Sequence, residues 1–377
     1  MIEFNPERYQ TRIEESRRRW DIAKRFREPD RVPIAISTAG SYYCRLFGYN
    51  IRDYYTSQEV CIEVQLKGLH WAFEELGDDR TEFGLSWDLG PIQEAVVFGC
   101  PIEYPDDTSP RIVPILETVE DIEKLEVPDI ENHPRIRDLL RLGEVFVAKA
   151  RRMAPGLPAT GGRINMHPPL SCACAIMDPA KVYELLYADP EHADMLLRKC
   201  FDAFCRLTDF YLAVDGKERQ THLSLADDNS AFISGEMYKR YVFKYNKALY
   251  DRYGSEYRYL HADGPNDHHF PMYADEMKLT VMDMGGWSSC EAAKKHLGGK
   301  TFFTGGLNCK DLYYDFERAK PAVDHALRIC APGGGYGLAI GGETYPGVRP
   351  DTLIRVVEYA KQAGRYPIRL ELPRRMI

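Results

Sequence analysis

The sequence predicts an α/β protein: a single (β/α)8 barrel preceded by an N-terminal helix and carrying an insertion after its second strand. Two observations carry that expectation. Eight short apolar runs alternate with helical patterns, as a parallel sheet with right-handed crossovers requires. Nearly every run also ends in a residue able to bind a metal, move a proton or hold a polar substrate, and chemistry collected at strand C-termini is the layout of barrel enzymes.

The elements follow in order. Residues 1–30 are charged and read as a helical extension, with Arg17, Arg18 and Arg19 beside Glu14, Glu15 and Asp21 on a solvated face. Residues 32–36 give the first strand. The aromatics after it, Tyr42, Tyr43, Phe47, Tyr49, Tyr54 and Tyr55, read partly as core and partly as a lid over a flat ligand, with Tyr42 and Tyr43 as substrate contacts. A helix over 58–76 is closed by Gly77 in the position that favours a left-handed residue. Residues 81–87 form the second strand. The segment from Pro91 to about Gly156 is an insertion, holding a strand-like pair at 96–104 and 111–116 and helices at 119–125 and 136–153. The third strand spans 158–166 and a long helical region spans 179–214. The remaining strands fall at 221–226, 258–262, 279–284, 301–306 and 336–340. Helices fill the gaps at 235–253, 267–277, 289–297, 311–329 and 350–363. The chain thus divides into the extension, 1–30, and one barrel domain, 31–370.

A length of 377 residues suits a barrel with insertions. A net charge of −8 offers no basic footprint for nucleic acid. No apolar stretch approaches the roughly 18 residues of a membrane helix, and the charged N-terminus lacks a signal-peptide core. Ten cysteines follow no disulfide-framework spacing, which points to a reducing cytoplasm. Cys172 and Cys174 lack a second pair at zinc-finger spacing and read as helix packing. The glycine-rich run Gly333–Gly337 precedes a strand, whereas the dinucleotide fingerprint follows one and opens a helix, so it is no nucleotide loop.

The strand ends carry the candidates: Trp87 and Asp88 after the second, Asn165 and His167 after the third, Asp227 and Asp228 after the fourth. His261 and Asp263 end the fifth, where alternation places both on one face. Asp283, Asn308 and Glu343 follow the sixth, seventh and eighth. Cys309 reads as a buried, inert thiol.

Several of these stretches resemble the uroporphyrinogen decarboxylase superfamily. Leu225–Tyr238, with Asp227-Asp228 and Ile233-Ser234-Gly235-Glu236, looks like its "DD…iSPe" segment. Leu260-His261-Ala262-Asp263-Gly264 resembles its fifth-strand "H.dG", Thr304-Gly305-Gly306-Leu307-Asn308 its seventh-strand "l.Gnid", and Gly337–Pro367 its ending. The resemblance implies a barrel with its site at the strand C-termini, and either of two chemistries. The decarboxylases carry an arginine-bearing "RQAGRY" after the first strand. Here Ser37–Tyr43 keeps Ala39-Gly40 and an aromatic but not the arginine, whose fork suits substrate carboxylates. Asp88 falls where the decarboxylases' functional aspartate lies. The second branch moves methyl groups between corrinoid proteins, thiols and methylated donors, around a zinc held by His-x-Cys and a later Cys. This chain keeps His261, with Asp263 for the first cysteine and Glu343 near the second. One nitrogen and two carboxylates suit Zn²⁺, and also Fe²⁺ or Mn²⁺.

The expectation is therefore a cytoplasmic, metal-dependent methyltransferase, monomeric or homodimeric. His261, Asp263 and Glu343 would hold the metal. Asp88, Asp227, Asp228 and His167 would handle protons, and Tyr42, Tyr43, Trp87, Asp283 and Asn308 would contact a small substrate. The corrinoid would be supplied by a partner protein. Two alternatives stand beside it: a cofactor-free decarboxylase working through Asp88, and a non-catalytic corrinoid or tetrapyrrole carrier.

Overall fold

The structure is a computed structural model and describes residues 4–370. Residues 1–3 of the expected extension lie outside the described residues. The strands are β1 (Ile34–Ala35), β2 (Leu85–Ser86), β3 (Ile102–Glu103), β4 (Arg111–Ile112) and β5 (Ala159–Thr160), then β6 (His222–Ala226), β7 (Tyr257–His261), β8 (Val281–Asp283), β9 (Phe302–Leu307) and β10 (Tyr336–Ile340). Eight of these follow the anticipated apolar runs. β3 and β4 pair antiparallel in the insertion, with Ile102 opposite Ile112. No helix among the described residues is long and apolar enough to cross a membrane.

The chain divides into two compact units. The first comprises the chain up to residue 46, residues 67–83 and the chain from residue 263; the second comprises residues 47–66 and 84–262.

In the first unit β1, β10, β9 and β8 form a parallel ladder in that order. β10 is buried at every residue, the continuous apolar run of a central parallel strand covered on both faces. The helix Gln10–Lys24 is pinned by Asp79, only 2% exposed. The Asp79 carboxylate accepts from Arg19 Nη1 at 2.7 Å, from Arg31 at 2.6 and 2.8 Å, and from the Ile34 backbone N–H at 2.9 Å. This corrects the reading of the arginine run. Arg17 and Arg18 are exposed, but helical spacing puts Arg19 on the buried stripe with Ile13, Ser16 and Ala23. The lid reading is corrected as well. Tyr42 and Tyr43 lie on a helix (Gly40–Phe47) that the sequence did not announce. Both are buried against Trp71, at ring separations of 5.9 and 6.3 Å, so they are core residues rather than a cover.

In the second unit β2 pairs with β5 and β6 with β7, both parallel. Of the expected strand at 96–104, Ile102–Glu103 is extended as β3, whereas its start at Val96 is the end of a helix, Gln93–Phe98, stopped by Gly99 at φ +79°. The β-branched pair Val96-Val97 suggested extended backbone, but both side chains are buried on this short helix and tertiary packing overrides propensity. The long region 179–214 is two helices, Pro179–Ala188 and Pro190–Val214. Pro190 cannot continue a helix, and Asp189 caps the new one by accepting from the His192 N–H. A further helix, Pro169–Ile176, precedes them and buries both Cys172 and Cys174.

Candidate functional site

β6 and β7 end level with one another. Ala226 stands opposite His261, and the Asp227 N–H donates to the His261 carbonyl at 2.9 Å. Asp227 is fully buried. Its carboxylate accepts from Ser171 Oγ at 2.9 Å, Ser230 Oγ at 2.7 Å and Asn246 Nδ2 at 2.8 Å. Burial pushes this carboxyl above its usual value against the pull of those three bonds. Asp227 therefore fixes the turn after β6 and meets the site through Ser171. Asp228, one residue on, is half-exposed, and its Oδ1 lies 3.7 Å from His261 Nε2.

Beside this turn is a cavity of about 430 Å³ whose walls include Glu94, Arg111, His167, Ser171, Cys174 and Asp228. Its polar heart is a pair. Glu94 has no exposure at all, and its Oε1 accepts from the His167 backbone N–H at 2.8 Å and faces His167 Nδ1 at 3.1 Å. Burial pulls the imidazole down, but the bond and charge of Glu94, with Asp228 and Asp227 beyond, outweigh it and hold His167 above its usual value. His167 is thus the imidazole of this wall, with its charged form favoured by the carboxylates around it. The charge of Arg111 is directed to Glu103 across the β3–β4 pair. A second cavity of about 300 Å³, lined by Arg163, Asn165 and His222, lies at the N-terminal end of β6, away from the strand ends where barrel chemistry is found.

Asp88 follows β2. It accepts from Tyr54 Oη at 2.9 Å and from the Gly90 N–H at 2.9 Å. Tyr54 is buried, and burial followed by the charge of Asp88 raises its phenol. Trp87 is half-buried and its N–H bonds the Thr160 carbonyl, continuing the β2–β5 ladder.

The other candidates belong to the first unit. The Asp263 carboxylate is packed so closely on Gly285 and Gly342 that a Cβ at either would strike it, and both glycines have positive φ, +66° and +62°. Asp283 Oδ1 accepts from the Gly285 N–H at 3.2 Å. Asn308 caps the helix Cys309–Tyr314 through its Oδ1 and donates from Nδ2 to the Gly286 carbonyl at 3.2 Å, a structural use of both ends of its amide. Cys309 is buried, accepts from the Tyr345 N–H, and burial pushes its thiol up to about 11. Glu343 is exposed, and Arg349 pairs with Asp351. Trp287, Tyr313, Tyr314 and Tyr345, on segments after β8, β9 and β10, are all large exposed aromatics. Among the described residues no group of three or more His, Cys, Asp or Glu side chains stands together as a metal-holding set.

Of the residues lining the cavity of about 430 Å³, the sequence singled out His167 and Asp228 but not Glu94, which lies in the insertion just before the run taken for a strand. The one available signal was a lone carboxylate at the start of an apolar stretch.

A family model described as uroporphyrinogen decarboxylase (URO-D) matches residues 19–363. No curated protein matches the chain. Among solved structures, a methyltransferase from Methanosarcina mazei superposes with a TM-score of 0.65 at 16% identity, over 92% of this chain and 98% of its own. The family match and this likeness together show the (β/α)8 barrel class.

Proposed function

The chain belongs to the uroporphyrinogen decarboxylase family, and from that premise we propose that it is a methyltransferase, moving a methyl group from a small donor to a corrinoid protein or small-molecule acceptor. The observation that carries this reading is the chemistry of the cavity wall. Asp228 presents a carboxylate, Glu94 stands behind His167, and the one arginine there is paired with Glu103. Such a wall repels a carboxylate-rich substrate and suits a neutral or cationic methyl donor.

Methyl transfer breaks a carbon–heteroatom bond. The bonding pair stays on the heteroatom, the methyl carbon joins the acceptor's nucleophile, and the heteroatom then needs a proton. His167 holds that proton: Nδ1 faces Glu94, leaving Nε2 as the ring's other donor. Asp228 and Asp88 orient the donor, and Asp227 keeps the turn that carries Asp228. A corrinoid, supplied by a partner protein, would provide the nucleophile when bound. Metal dependence through His261, Asp263 and Glu343, with Zn²⁺ ahead of Fe²⁺ or Mn²⁺, is proposed on the resemblance alone, and no step is assigned to an ion.

The test is transfer from methoxyarenes or methylamines to a corrinoid acceptor. His167→Gln is expected to lower kcat/KM by about 10²–10⁴-fold. Turnover of uroporphyrinogen without methyl transfer would overturn the reading. Elemental analysis of untagged protein beside His261→Ala tests the metal: about one equivalent, lost in the variant, supports it, and full metal with full activity in the variant removes it.

A further inference from the structure

We propose that Glu94 is the positioning residue of this site, fixing the His167 ring through Nδ1 and keeping it in the imidazolium form that offers a proton at Nε2. The inference deepens the reading above and rests on His167 as the site's acid.

Three observations carry it. Glu94 is entirely buried, and a buried carboxylate is costly without a cation or several donors against it. Among the described residues its carboxylate takes two hydrogen bonds, one from the His167 backbone and one from the His167 ring, both at Oε1. Its Oε2 has no hydrogen-bond partner among the described residues, so no other donor shares the charge. The carboxylate is thus the hydrogen-bond partner of the ring inside the wall, and its charge favours the imidazolium. The ring itself is 30% exposed while Glu94 is 0%, the arrangement expected when one member meets the ligand and the other stands behind it.

The groups facing His167 are few. Glu94 comes from the helix Gln93–Phe98, Asp228 and the deeper Asp227 from the turn after β6, Arg111 from β4, and Cys174 from the helix Pro169–Ile176. Among the described residues, Glu94 alone touches the ring through a hydrogen bond. Removing its charge while keeping its shape should therefore release the proton.

The experiment is a pH titration of His167 by side-chain proton–nitrogen NMR on the full-length protein without ligand, its signal identified by its loss in His167→Gln. The wild-type midpoint is expected above about 6.5. In Glu94→Gln it should fall by about 1–3 units, the effect of an opposite charge at this range, and Glu94→Asp should recover part of the loss. A wild-type midpoint at or below about 6.5, or one unchanged in Glu94→Gln, overturns the proposal. If Glu94→Gln does not fold, the wild-type midpoint and Glu94→Asp decide. No substrate enters this titration, so it stands or fails apart from methyl transfer. Where transfer is observed, the alkaline limb of its rate profile should move to lower pH in Glu94→Gln.

Discussion

At the scale of single residues, Asp227 and His167 make opposite kinds of prediction. Asp227 accepts three side-chain bonds in full burial, so Asp227→Ala removes one bond each from Ser171, Ser230 and Asn246. Each such bond contributes about 0.5–1.5 kcal/mol, and urea denaturation should show a loss of about 1.5–4.5 kcal/mol. His167 acts through pH. Its folded value is raised above its unfolded value of about 6.5, so the stability it contributes is complete below that pH and is lost as pH rises through the folded value. Urea midpoints should therefore decline toward alkaline pH more steeply in the wild type than in His167→Gln, and equal slopes would count against the Glu94 pairing. The sequence could place His167 and Asp228, because polar residues closing apolar strands announce themselves. It could not place Glu94, whose meaning depends on a burial that only packing creates. Nor could it see that both ends of the Asn308 amide are taken up by the backbone.

Elements were legible where their ends carry local chemistry. Gly77 stops its helix at φ +65°, and the helix Pro350–Ala363 begins at its proline, both as expected. The short helix Gln93–Phe98 and the break at Asp189-Pro190 were not legible, the first because Val96 and Val97 mimic a strand, the second because apolar periodicity runs straight through it. The helix Gln10–Lys24 is held by a contact far away in sequence. Asp79→Ala would take the carboxylate from Arg31 and leave Arg19 with Asp30 alone, both arginine side chains being 12% exposed or less. Breaking a buried pair from one side costs about 3–5 kcal/mol, and thermal melts should register that loss. Asp79→Asn, which keeps the acceptor oxygen for the Ile34 N–H, should lose less.

For the whole molecule, the alternation of apolar runs and helices was enough to name the barrel class, and the family match agrees. The finer chemistry was harder to read because candidates at strand ends look alike in sequence: Asp88, Asp227, Asp228 and Asp263 each follow a strand, yet one bonds a tyrosine, one is sealed in the core, one lines the cavity and one is pressed between glycines. All ten cysteines are free and buried. That makes the chain a reporter of its own opening. A thiol-reactive dye should label the native protein slowly and the denatured protein at every cysteine, so the rate of colour development measures how often each layer breathes. Labelling that begins at Cys309 would mark the segment after β9 as the first to open.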